Sequence, residues 1–410
     1  MIPFSPPRID QKIIDEVTAA LKSGWITTGP RTKKFEQQIA EYCGVKNVIC
    51  FNSATAGLEL MLRWFGVKSG DEVIVPAYTY SATANVVIHC GATPVFVDVN
   101  ANDFNISVQR IADAISLRTK AIMPVDIGGL PCDYDDIMHL ATGSAGIFKA
   151  ENEIQKQLGR MLVLSDSAHS FGALYNGKKV GGAVDASVFS FHAVKNLTTA
   201  EGGAVCLNLP APFDNAEIYR VLNIKSLHGQ NKDALAKMQK GSWEYDIVEA
   251  GYKCNMPDIQ AAIGLVELAR YDSETLPRRK KICELYQSHF EKKAWAQLPV
   301  FKSENSESSY HLFMLRVKNI SEQQRNQIIQ LVSEKEIAVN VHFKPVPMMS
   351  FYKSLGYTID DYPVTHDNYS REISLPVYYS LTDEEVGIVS TAVIDAVEKV
   401  LTQPSPKERD

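Results

Sequence analysis

No stretch of about 18 or more apolar residues occurs in the chain, so no membrane-spanning helix is expected. No long basic run occurs either, and the formal net charge is −6, so nucleic acid is not an expected partner. The seven cysteines (Cys43, Cys50, Cys90, Cys132, Cys206, Cys254 and Cys283) are scattered, odd in number and without a CxxC pair. That argues against a disulfide framework or a zinc site. It fits small buried apolar side chains in a reducing cytoplasm. There is no GxSxG elbow to support hydrolase chemistry. Internal repeats and low-complexity blocks are absent. Residues Met1 to Asp10 hold two charges and three prolines, unlike the apolar centre of a secretory signal.

What is present is the composition of an ordinary globular protein, 45% hydrophobic and 22% charged, over 410 residues. That length exceeds one hydrophobic core, so two domains are expected. Short runs rich in Val, Ile and Leu read as strands at Lys46–Phe51, Glu72–Val75, Pro94–Val97, Lys120–Val125, Met161–Leu164, Ala186–Phe191 and Gly203–Leu207. They do not alternate strictly, so both faces should be buried. Helical patterns fall between them, for example Thr55–Phe65 and Ser81–His89. The fold class expected is therefore α/β, with a mainly parallel sheet and helices on both faces.

A large domain over 1–250 and a smaller C-terminal α+β domain over 251–402 are expected, with the first dozen or so residues packing on the small domain. In the latter, Asp258–Arg270 reads as a helix, His311–Val317 and Ala338–His342 as strands, and Thr382–Glu384 as a helix start. Thr142–Arg160 reads as a polar surface excursion. The polar stretch Lys232–Lys240 reads as mobile, and the tail 403–410 as disordered.

Three motifs carry chemistry. In Asn52–Leu58 a strand gives way to a helix through Ser53, Ala54 and Thr55. Unpaired N–H groups at a helix start hold anions such as phosphate, although alone this could be an ordinary N-cap. In Leu162–His169, Asp166 follows an apolar run and should stand at the C-terminal edge of a strand, where ligands of open α/β sheets bind. A carboxylate there can hold a proton on a ring nitrogen, or merely cap a turn. In Phe189–Gly203, a strand enters a loop containing Ser190, His192 and Lys195. A lysine leaving a buried strand for a confined site loses its proton readily, as Schiff-base chemistry requires. A solvated loop lysine is the competing possibility.

Taken together, phosphate site, ring-nitrogen acid and lysine follow one another within one α/β domain. The chain resembles the DegT/DnrJ/EryC1/StrS family of sugar aminotransferases, among the fold-type I enzymes that use pyridoxal 5′-phosphate (PLP). Ser190-Phe191-His192, Lys195-Asn196-Leu197-Thr198 and Glu201-Gly202-Gly203 carry most of the resemblance. Pro76–Tyr80, Gly251–Met256, Gln260–Gly264, Ser309–Phe313, Val341–Phe343 and Ser374–Pro376 add to it.

The resemblance implies that Lys195 forms the Schiff base and shuttles protons, and that Asp166 contacts the pyridine nitrogen. It further implies that Ser53, Ala54, Thr55 and Ser190 hold the phosphate, Tyr80 covers the ring, and His169 meets the ring oxygen. His192, Lys253 and His342 become substrate-side candidates. The family is dimeric with shared sites, so Asn255 or Lys253 would reach the cofactor of the other subunit. Asp126 stands where many relatives have histidine, a departure expected to bear on substrate. The implied reaction moves an amino group from L-glutamate to a nucleotide-linked keto sugar, most often at C4 of a 4-keto-6-deoxyhexose, for amino-sugar or polysaccharide biosynthesis. Dehydration of a keto sugar is an alternative, but such relatives carry histidine in place of the lysine. A non-catalytic regulatory member is another, which the retained Asp166, Ser190 and Lys195 disfavour.

Overall fold

The structure, a computed structural model, describes residues 1–232 and 244–402. The expectations for the stretch after Lys232 and for the tail 403–410 therefore lie outside the described residues. Among the described residues no helix is long and apolar enough to cross a membrane.

Seven strands form the main sheet: β1 (Asn47–Phe51), β2 (Glu72–Pro76), β3 (Thr93–Val97), β4 (Thr119–Ile122), β5 (Leu162–Asp166), β6 (Ala186–Ser190) and β7 (Gly203–Leu207). Their order is β1-β7-β6-β5-β4-β2-β3. All run parallel except β7, which is antiparallel to both β1 and β6. The sheet is thus mixed but mainly parallel, and every residue of β2, β5 and β7 is buried.

Helices cover both faces. On one, Phe35 and Ile39 of α2 (Pro30–Cys43), which follows α1 (Gln11–Lys22), pack with Val163, Phe189 and, from the helix Asp258–Ala269, Ala261 and Leu265. On the other, Leu58 and Leu62 of α3 (Ala54–Phe65) and Val86 of α4 (Ser81–His89) pack with Leu162, Leu164 and Val188. Val163 faces one core and its neighbours Leu162 and Leu164 the other, as the two-residue period of a strand dictates. Each such side chain contributes roughly 1.5–3 kcal/mol on burial.

The C-terminal residues build a second core. Strand Phe313–Val317 pairs antiparallel with Ala296–Gln297 and Glu372–Leu375. The helices Leu276–Phe290, Glu322–Ser333 and Asp383–Leu401 pack against it. The last helix starts at Thr382, whose side chain and that of Glu385 form a reciprocal cap. The N-terminus reaches across to this unit, where Ile2 bridges Ile337.

Two expectations are corrected. Ala338–His342 is not a strand. Its donors go to three different acceptors: Ala338 N–H to the Ile2 carbonyl, Asn340 N–H to the Ser374 carbonyl, and His342 N–H to the Glu372 carboxylate. A ladder needs successive pairs along one partner strand, and among the described residues only the single Asn340–Ser374 bridge forms. Nor is Thr142–Arg160 only a surface excursion. Gln155 is buried and, with Asn152, donates to the Phe65 carbonyl at the end of α3. Arg160 makes a two-pronged buried pair with Asp185, both contacts 2.7 Å.

Candidate active site

The register of the sheet gathers the three motifs at one edge. Gly203, the first residue of β7, pairs with Phe51 at the end of β1 and with Ser190 at the end of β6. A side chain at Gly203 would lie 2.3 Å from the Ala54 nitrogen, so only glycine lets β7 start this close to α3. Ser53 is the N-cap of α3, its Oγ accepting from Ala56 N–H at 3.1 Å. Ala54 and Thr55 begin the helix, so their N–H groups have no carbonyl one turn back. Ser53 thus serves as the ordinary cap, while the anion-binding capacity resides in the amides after it.

These residues border a cavity of about 330 Å³. Its wall includes Ser53, Ala54, Thr55, Tyr80 and Ser190. Asp166, His169, His192, Lys195 and His342 also line it. Lys253 and Asn255 do not. Asn255 donates to Thr28 Oγ1 at 2.5 Å, and its backbone bridges Phe51, while Lys253 is exposed and bridges Leu227. Both stand outside the cavity of their own chain.

Asp166 ends β5. Its Oδ2 accepts from Thr83 Oγ1 at 2.8 Å and its Oδ1 from Ala168 N–H at 3.3 Å. Thr83 in turn meets Thr79 at 2.8 Å. Burial raises the carboxyl's pKa, opposed by these hydrogen bonds and by the charge of Lys195. Lys195 Nζ makes no hydrogen bond or ion pair among the described residues. Burial of its ammonium lowers its pKa to about 8, against the attraction of Asp166. A lysine so placed is a ready nucleophile and base near neutral pH.

His169 Nδ1 accepts from Gly128 N–H at 3.3 Å. Burial, then the charges of Lys195 and His342, hold its pKa well below the usual histidine value. The ring is therefore neutral, with its proton on Nε2. The His311 ring lies 4.3 Å from it, centroid to centroid, and is itself held by Asn196 Oδ1 at 2.8 Å from Nδ1. Asn196 also donates to the Ser309 carbonyl at 2.8 Å, so the residue after Lys195 ties the lysine loop to a segment over 100 positions away.

Thr83, His311, Phe343 and Glu201 are residues that sequence reasoning assigned no role. Thr83 stands in the first turn of α4 and Thr79 just ahead of its N-cap Tyr80, so their contact depends on the path of the loop into the helix. Phe343 stands between Tyr80 (5.7 Å), His169 (5.6 Å) and His342 (5.0 Å). Glu201 lies 3.6 Å from His192, with both side chains open to solvent. From the N-terminus, Phe4 stacks on His342 at 5.3 Å and Ser5 donates to the Val194 carbonyl at 3.3 Å, closing one side of the cavity. Asp126 corrects an expectation. It does not border the cavity but is buried beneath it, accepting from Tyr134, Ser170 and the Cys132 amide at 2.5, 2.5 and 3.0 Å.

The cavity thus joins amides suited to a phosphate, a carboxylate suited to a ring N–H, an N–H donor suited to a ring oxygen, and a lysine without a hydrogen-bond or ion-pair partner among the described residues. This donor set fits PLP.

Comparison with known proteins agrees. A model of the DegT/DnrJ/EryC1/StrS aminotransferase family matches residues 7–394. The spore coat polysaccharide biosynthesis protein SpsC of Bacillus subtilis is 38% identical over 400 residues, covering 97% of each chain. Spr1654 of Streptococcus pneumoniae, described as a sugar aminotransferase, superimposes in its PMP form with a TM-score of 0.94. It is 47% identical and covers 98% of this chain and 100% of its own. It has also been solved in a PLP form. PseC of Helicobacter pylori, an aminotransferase involved in the biosynthesis of pseudoaminic acid, gives a TM-score of 0.85 at 30% identity over 97% of this chain and 99% of its own.

Proposed function

We propose, for a chain that belongs to the DegT/DnrJ/EryC1/StrS family of PLP-dependent sugar aminotransferases, that it transfers the amino group of L-glutamate to C4 of a nucleotide-linked 4-keto-6-deoxyhexose. The observation that carries the chemistry is Lys195, unpartnered among the described residues and lining a cavity it shares with Asp166 and the start of α3.

In this reading Lys195 holds the cofactor covalently through Nζ, and Ala54, Thr55 and Ser190 hold its phosphate. Asp166 keeps a proton on the ring nitrogen, with Thr83 fixing the orientation of the carboxylate. His169 donates from Nε2 to the ring oxygen, and Tyr80 covers the ring face. When bound, PLP supplies an electron sink for the charge left at the donor's Cα. Lys195, released by the incoming amine, takes the proton from that Cα, and a pKa near 8 suits the task. The second half of the reaction reverses the direction of proton transfer at Lys195. His192 and His342 face the sugar.

Lys253 and Asn255 are proposed to act on the site of a partner subunit in a homodimer. Their position outside the chain's own cavity supports that reading. A screen of dTDP-, UDP- and GDP-linked keto sugars with glutamate tests the substrate. Amination only of 3-keto sugars, or only with another donor, overturns the corresponding part.

A further inference from the structure

Three groups from two stretches of chain meet behind the cavity wall. Glu372 and Ser374 lie two apart on the strand Glu372–Leu375, hence on one face. His342 runs alongside, its Nδ1 3.0 Å from Ser374 Oγ. That hydroxyl lies 2.5 Å from Glu372 Oε1. The other carboxylate oxygen, Oε2, accepts the backbone N–H of His342 at 3.0 Å. The result is a closed ring of hydrogen bonds. Nε2 of His342 has no partner among the described residues, and His342 lines the cavity.

The backbone N–H gives this ring its direction. It can only donate, so Oε2 must offer a lone pair in every state. Any proton on Glu372 therefore sits on Oε1, facing Ser374. With that proton present, Oε1 donates to Ser374 Oγ, the serine hydroxyl donates to Nδ1, and the neutral imidazole keeps its proton on Nε2. Without it, the serine donates to the carboxylate, Nδ1 donates to the serine, and Nε2 is a bare lone pair.

We propose that Glu372, acting through Ser374, sets the tautomer of His342, so that a protonated Glu372 presents His342 Nε2–H as a donor to the carbonyl oxygen of the keto sugar and an ionised Glu372 withdraws it. Glu372 and Ser374 are positioning residues here. The identity of the accepting oxygen rests on the keto-sugar reading of the cavity; the tautomer control does not.

The surroundings favour the donor state at neutral pH. Burial pushes the Glu372 carboxyl up to about 8, against the opposing charges of Arg325 and Arg316. Those guanidinium groups are directed elsewhere. Arg325 donates to the Tyr369 and Glu372 carbonyls, and Arg316 to Asn368 and the Asn102 carbonyl. Neither makes an ion pair with Glu372 among the described residues. Tyr78 donates to the His342 carbonyl at 2.5 Å, and its burial keeps it protonated. His342 is held neutral, at about 3, by burial and then by the charge of Lys195; the neighbouring His169 and His311 are neutral for the same reason. Glu372 is the member of the ring left to titrate.

Glu372→Gln separates the possibilities. Its amide must place oxygen where His342 N–H points, so its NH2 faces Ser374 and imitates the protonated acid permanently. The measurement is the ¹⁵N spectrum of histidine-labelled holoenzyme, with the His342 signals identified by their loss in His342→Gln. The wild type is expected to carry its proton on Nε2 at about pH 7 and on Nδ1 at about pH 9.5, whereas Glu372→Gln keeps it on Nε2 throughout. In Ser374→Ala the pH-driven exchange disappears. With sugar present, the ratio of kcat/KM for Glu372→Gln over wild type should rise about tenfold across that range. A wild-type His342 protonated on Nδ1 at pH 7, a tautomer that does not change with pH, or a Glu372→Gln enzyme that follows the wild type would each overturn the proposal. The spectra need no sugar. A failure to aminate any keto sugar would thus count against the function proposed above and leave the tautomer result standing.

Discussion

Gly128 N–H points at Nδ1 of His169, 3.3 Å away, and so decides which nitrogen of that ring carries the proton. A main-chain amide cannot reverse its role, so the Nε2–H of His169 is a permanent donor toward the cavity. His169→Ala should weaken cofactor binding by about tenfold, near 1.4 kcal/mol. His169→Gln, which can still offer an N–H, should recover most of that. Titration of apoprotein with PLP, followed by visible absorption, checks both.

Lys195 should be the point of covalent attachment. Borohydride reduction of holoenzyme followed by peptide mass spectrometry should place the cofactor on the peptide containing Lys195. Attachment to any other lysine would remove the central assignment. Lys195→Ala should lose the visible band and at least about a thousandfold in rate.

The same lysine predicts a pH effect on the apoprotein. Its folded pKa, about 8, lies below the 10.5 of a free lysine. Between those values the unfolded chain binds more protons, so stability should rise with pH through that window. Below pH 8 the apoprotein carries the cost of a buried ammonium. Apo Lys195→Met should therefore be the more stable protein at neutral pH, by about 1–3 kcal/mol, and the difference should close as pH approaches 10.5. Denaturant melts of both proteins across this range test the sign.

Asp166→Asn should keep the fold and lose rate by about a hundredfold or more, because a neutral amide no longer holds a proton on the ring nitrogen. Thr83→Val, which removes only the bond orienting the carboxylate, should cost about tenfold. If Asp166→Asn lowers Tm as much as rate, Asp166 is a structural residue.

Gly203→Ala should disturb the phosphate end selectively. The added methyl would meet the Ala54 amide at 2.3 Å and push the start of α3 away from β7. PLP affinity should fall more than the affinity for the aldehyde lacking the phosphate. Equal losses for both would mean that the helix start does not hold the anion.

Much of this site was legible in the sequence because its parts sit at ends of regular elements. Ser81–His89 and Gly203–Leu207 were read with the bounds that the structure shows, and Asp166 was placed at a strand edge from its apolar run alone. The contacts that support these groups were not legible. Asn196 meets His311 from 115 positions away, and Glu372 meets the amide of His342 across a segment that only looked like a strand. A β-rich composition at Ala338–His342 could not reveal that its donors would be divided among three partners. Thr83 and Phe343 gained a role only once α4 and the C-terminal unit were packed around one cavity.

The N-terminal segment carries a practical consequence. Ile2 is pinned to Ile337, Phe4 lies on His342, and Ser5 holds the loop of Val194 and Lys195. Replacing Phe4 and Ser5 by alanine would loosen the extended segment that forms one wall of the reaction chamber, and is expected to change turnover without touching a catalytic group.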